Sequence, residues 1–181
     1  MHRTIRPLFA VAALAALALT GCAGGDGGAP AAATTPNASS SPTPATAAEC
    51  RGVFVTVQYG LLGGDDVDAC DPVTSTATAA SVLKDLGITT AGTTKYGDQV
   101  VCRVNGRPSA STPIEVPGHA PYTEQCQSMP AAFAYWSMWV RDSAAGQWGY
   151  AQNGVAAEQL KPGQTLGLKF TTGTDTAAPQ G

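Results

Sequence analysis

Hydrophobic positions alternate through residues 52–59, where Val53, Val55, Val57 and Tyr59 share one side, and this period of two predicts a strand. Residues 60–72 break the alternation. They hold Asp65, Asp66, Asp68 and Asp71 in an order that does not match an EF-hand loop, so they read as a solvated loop. The period then changes. Ala79, Val82, Leu83 and Leu86 recur at helical spacing, which predicts a short helix over 78–86, with Gly87 stopping it and Ile88 packing back over its last turn. Alternation resumes at 99–104 and ends at Asn105-Gly106, a strong turn dipeptide. Residues 107–130 are rich in Pro and Gly and predict an irregular excursion. Residues 133–140 and 147–150 predict a hairpin joined by 142–146. A last strand over 165–170 turns Leu166, Leu168 and Phe170 inward. Strands around one helix make an α+β pattern, with the helix packed on a mixed sheet.

The chain outside this pattern is of two kinds. His2, Arg3 and Arg6 precede an apolar run over 8–20 that is shorter than the roughly 20 residues a membrane helix needs. A positive start, a short apolar run and small residues after it form a secretory signal. The junction Leu19-Thr20-Gly21-Cys22 resembles the bacterial lipoprotein signal, which implies cleavage after residue 21 and a lipid on Cys22. Two or more acyl chains suffice for stable anchoring. The resulting location is the extracytoplasmic face of the cell membrane. Residues 23–48 carry one charge, Asp26, and no large apolar side chain, so 22–48 form a lipidated, disordered Ala/Thr/Pro/Ser tether. As a flexible coil it spans on the order of 30 Å. The domain occupies 49–171, and 172–181 reads as a frayed, disordered tail.

Composition sharpens this division. Of 181 residues, 21 are Gly and 13 are Pro, an excess that low-complexity ends around one domain explain. The formal net charge is -3, and removal of 1–21 takes away two of the ten basic residues. That leaves no basic surface for a nucleic acid, which is excluded as a partner, and no polybasic patch to help the lipid. Setting Cys22 aside, four cysteines remain in an exported domain: Cys50, Cys70, Cys102 and Cys126. An even number implies two disulfides in one of three connectivities. The pairing Cys50–Cys70 with Cys102–Cys126 is preferred, because each bond then closes a local, turn-rich loop. Close pairs of the C-x2-C kind are absent, so no metal site is expected.

The densest chemistry lies in the predicted hairpin. Phe133, Tyr135, Ser137 and Trp139 point one way, and Ala134, Trp136, Met138 and Val140 the other. Trp148 and Tyr150 return beside them. One face must cover the core. The other is left with large rings, and across the hairpin Tyr135, Trp136, Trp139, Trp148 and Tyr150 are the candidate residues for stacking on a ligand, unless residues 107–130 fold over them. Catalytic signals are thin. His119 sits alone in a Pro/Gly loop, and no G-x-S-x-G, H-E-x-x-H, Walker or G-x-G-x-x-G motif occurs. The reading is therefore not an enzyme, and no cofactor is called for.

In order, GVFVTVQYG, TAASVLKDLG, VVCRVNGRP, AYWSMWV, QWGYAQNG and LKPGQTLGLKF resemble the transcobalamin C-terminal-like domain family, across 52–170. The resemblance implies a small β-grasp-like domain with a binding role, since the related domain of the animal vitamin carriers lids one face of cobalamin. It also implies capture of a vitamin-like heterocycle, or its delivery to a transporter. The carriers' helical domain and its cobalt-ligating His have no counterpart here, so His119 inherits no such role. Two functions follow as expectations. One is a membrane-tethered module that captures a small hydrophobic or heterocyclic ligand. The other is a structural or adhesive surface module that binds a protein or cell-wall partner.

Overall fold

The computed structural model describes residues 46–180. Cys22, the signal segment and nearly all of the tether lie outside the described residues. Among these residues nine strands, one α-helix and one 3-10 turn follow in order: β1 (Val53–Gln58), the 3-10 turn (Gly60–Leu62), β2 (Val67–Asp71), β3 (Ala77–Thr78), α1 (Ala79–Asp85), β4 (Thr90–Thr93), β5 (Gly97–Val104), β6 (Ala134–Arg141), β7 (Gly149–Tyr150), β8 (Gln159–Leu160) and β9 (Thr165–Thr172). Among the described residues, no helix is long and apolar enough to cross a membrane.

Five strands form the main sheet in the order β2-β1-β9-β6-β7. β1 and β9 run parallel at its centre, from Phe54 opposite Thr165 to Gln58 opposite Lys169, and their neighbours are antiparallel. Central parallel strands flanked by antiparallel partners, with a helix on one face, give the β-grasp arrangement in an α+β domain. The alternation read from the sequence decides the faces. Val53, Val55 and Val57 of β1, Leu166, Leu168 and Phe170 of β9, and Ala134 and Trp136 of β6 point to the core beneath Val82 and Leu83 of α1. Nearly all of this surface is fully buried, and burial of apolar area is the main force holding the layers together.

α1 starts where Thr78 Oγ1 accepts the Ser81 amide at 3.2 Å. It ends at Gly87 (φ 71°), where the Gly87 and Ile88 amides donate to Lys84 O and Leu83 O at 2.9 and 2.8 Å. This double closure turns Ile88 back into the core, as the sequence pattern requires.

Several elements depart from the sequence reading. The aspartate loop contains strand β2, whose Val67, Ala69 and Asp71 face Val57, Val55 and Val53 at the sheet edge. β5 does not join the main sheet. It pairs with β4 in a separate two-stranded sheet, and β3 pairs with β8 in another. The region 107–130 is tied down at many points. Cys102 and Cys126 are bonded, as are Cys50 and Cys70. The Thr94 and Lys95 amides donate to Cys126 O and Gln127 O at 2.7 and 3.0 Å. The Arg103 guanidinium donates to Pro108 O and, at 2.8 Å, to Glu124 O. Of the segment 172–181 read as a tail, Thr172 ends β9 and residues 173–180 follow it. They return over the sheet, and Pro179 is buried.

Candidate functional site

A cleft of ≈ 550 Å³ opens where residues 61–62 meet residues 106–115. Its walls are Leu61, Leu62, Pro108, Pro113 and Ile114, and its polar groups include Arg107, Ser109, Thr112 and Glu115. An apolar hollow with a few polar groups at its rim is the usual form of a small-molecule site. Leu61 stands 55% exposed on one wall, while Ile114 is buried in the core behind the other.

The wall is positioned from the sheet outward. Trp136 packs edge-on to Tyr59 and to Phe170, both at 5.5 Å between ring centroids. Its Nε1–H donates to Arg107 O at 2.9 Å, which fixes the backbone at the mouth of the cleft. Asn105 and Gly106 have φ of 48° and 73°, and this turn of left-handed residues joins Val104 to Arg107 in an isolated bridge. Asn105 Nδ2 donates to the Tyr59 hydroxyl at 2.8 Å. The Arg107 guanidinium lies 5.4 Å from the Tyr59 ring and donates to Leu62 O at 3.0 Å and to Gly63 O. Arg107 therefore joins both walls.

The predicted aromatic residues do not form one platform. Trp136 is a buried core residue, because β6 turns it inward. Trp139, on the other face, is also buried. Its ring lies under Tyr150 at 3.8 Å, and its Nε1–H donates to Ser137 Oγ at 2.9 Å. Trp148 is half-buried beneath the Arg141 guanidinium, 4.5 Å from the ring centroid. Tyr150 is 47% exposed. Tyr135 is half-buried, and burial together with the neighbouring Tyr150 phenol pushes its hydroxyl above the usual pKa. Tyr135 and Tyr150 do share a smaller depression of ≈ 220 Å³ with Met138 and Asn153. The larger cleft is built instead from Leu61, Leu62 and 106–115. Its one local signal was the adjacent pair Leu61-Leu62 in an otherwise polar loop.

Two further groups bear on chemistry. Cys102, Glu124 and Cys126 come together, but both sulfurs are in the disulfide. The Glu124 oxygens accept from the Tyr122 hydroxyl at 2.5 Å and the Cys126 amide at 2.6 Å, so the cluster serves structure. His119 lies flat on Phe133, 3.9 Å between centroids.

Burial and the Glu124 carboxylate push the Tyr122 phenol from 10.0 up to about 12. A folded pKa above the unfolded one adds stability that is full below pH 10 and lost as pH rises toward about 12. Alkaline unfolding followed by circular dichroism should therefore begin in that window. Tyr122→Phe, which removes the titrating proton, should flatten the dependence there. An unchanged slope would place its origin elsewhere.

Comparison of the chain with protein-family models, with curated proteins and with solved structures finds no match.

Proposed function

We propose that this chain is a lipid-anchored extracytoplasmic protein whose folded head captures a small hydrophobic or heterocyclic ligand, in the manner its resemblance to the transcobalamin C-terminal-like family implies. The carrying observation is the cleft between Leu61-Leu62 and residues 106–115. Its apolar walls suit a ring system, and Arg107, Ser109, Thr112 and Glu115 supply the polar contacts that orient one. The anchor at Cys22 and the tether of 22–48 would hold this head close to a membrane transporter.

The test uses the oxidised mature chain, titrated with corrinoids, flavins, tetrapyrroles and sugars under tryptophan emission. Trp136 reports on the cleft because its ring nitrogen donates to Arg107 O. A saturable change is expected with one ligand class. Leu61→Asp, at an exposed position, and Arg107→Ala should each weaken it at least tenfold while leaving thermal unfolding in place. No change with any class, or affinity indifferent to both substitutions, would overturn the assignment and favour a surface module with a protein or cell-wall partner.

A further inference from the structure

On the face of the main sheet away from α1, the chain's own residues 177–180 pack against side chains of β1 and β9. The segment leaves β9 at Gly173, whose amide donates to Phe133 O at 2.8 Å, and doubles back over Gly167. Two side chains of the sheet hold its backbone. Gln58 Nε2 donates to Gln180 O and Gln58 Oε1 accepts the Gln180 amide, both at 3.0 Å, so one side-chain amide reads both backbone groups of a single residue. Lys169 Nζ donates to Ala177 O at 2.9 Å and pairs with Asp175 at 3.0 Å.

Between these two grips Pro179 is buried. Gly167 has no side chain, and the space a Cβ would take there lies 2.7 Å from Pro179 Cγ and 3.0 Å from Trp148 Cη2. Glycine thus leaves room for a proline ring beside an indole whose own position the Arg141 guanidinium fixes. Alanine precedes the proline. Between Ala177 and Gln180 the grip reads backbone on either side of one ring, which is the chemistry of recognising an extended proline peptide.

We propose that this face is a binding site for an extended polypeptide carrying a small residue followed by proline, and that residues 177–180 occupy it as a self-ligand. A segment attached to the same chain has an effective concentration in the millimolar range, so it masks the site against weaker competitors. A partner must outcompete it, or the segment must be removed.

The experiment compares the full mature chain with a chain ending at Gly173, and with Pro179→Asp in the untruncated chain. Pro179→Asp carries the test if truncation prevents folding. Each is titrated with a fluorescent synthetic peptide of residues 174–181 and with its proline-to-alanine form, and anisotropy and Trp148 emission are followed. The opened chains should bind the proline peptide saturably, at least tenfold more tightly than the full chain does. Alanine for proline in the peptide, or Gln58→Ala in the protein, should each reduce affinity by roughly tenfold, the second because two hydrogen bonds are lost. The proposal is overturned if an opened chain that keeps a cooperative unfolding transition binds no peptide. It is equally overturned if the full chain binds as well as they do, or if the alanine peptide binds as tightly.

Discussion

Trp136→Ala is expected to destabilise the domain by about 3–5 kcal/mol, the range for an aromatic ring removed from a packed core. The ring is buried against Tyr59 and Phe170, and little around it is free to collapse into the gap. Small domains hold only ~5–15 kcal/mol in all, so urea unfolding should show a midpoint shifted far toward zero. The same change removes the side-chain donor to Arg107 O and loosens the mouth of the cleft. Trp136→Phe separates the two effects. It keeps most of the ring and removes one of the two donors to Arg107 O, the Val104 amide remaining at 2.9 Å, which should cost about 0.5–1.5 kcal/mol and still weaken ligand binding. A loss below about 1 kcal/mol for Trp136→Ala would mean the ring is not the keystone of this core.

This residue also shows how far the sequence could be read. Alternation along β6 correctly divides Trp136 from Trp139, because side-chain direction in a strand is a local property. Which face is covered, and by what, is not local. The inner face is closed by α1 together with Ile114 and Val116 from the Pro/Gly excursion, and the outer face by Pro179 from a segment with hardly an apolar residue. Neither the excursion nor the terminal segment has a period to announce it. The helix was legible because its spacing, cap and terminating glycine all agree. β2 was not, because an edge strand with the sequence VDACD looks like a polar loop until Val53, Val55 and Val57 give it a partner. β3, β4 and β8 are too short, or too small in side chain, to be seen alone. The cleft escaped for a related reason. Leu62 and Arg107 meet only because the 3-10 turn after β1 and the turn after β5 are brought together through Tyr59.

The two disulfides were legible as a pair of local loops, yet they should differ in function, and this contrast makes the second large prediction. Cys102–Cys126 closes a loop of sequence separation 24, and Cys50–Cys70 one of 20. Chain entropy gives each about 3 kcal/mol. Replacing either pair by alanine should therefore lower stability by similar amounts. The consequences for the cleft should not be similar. Cys126 anchors the far end of the segment that supplies Arg107, Pro108, Pro113 and Ile114, and with that anchor go the backbone bonds from Thr94 and Lys95 to residues 126–127. Cys50–Cys70 ties the segment before β1 to the end of β2, and neither cysteine lines the cleft. Loss of Cys102–Cys126 should thus cut ligand affinity at least tenfold at a temperature where the chain is still folded. Loss of Cys50–Cys70 should leave affinity within about twofold. Both variants should keep the far-ultraviolet circular dichroism of the sheet, since β1, β9 and β6 are held by their own ladders. Equal affinities in the two variants would mean that the excursion is held by Arg103 and the backbone bonds alone. The disulfide would then contribute to stability without shaping the site.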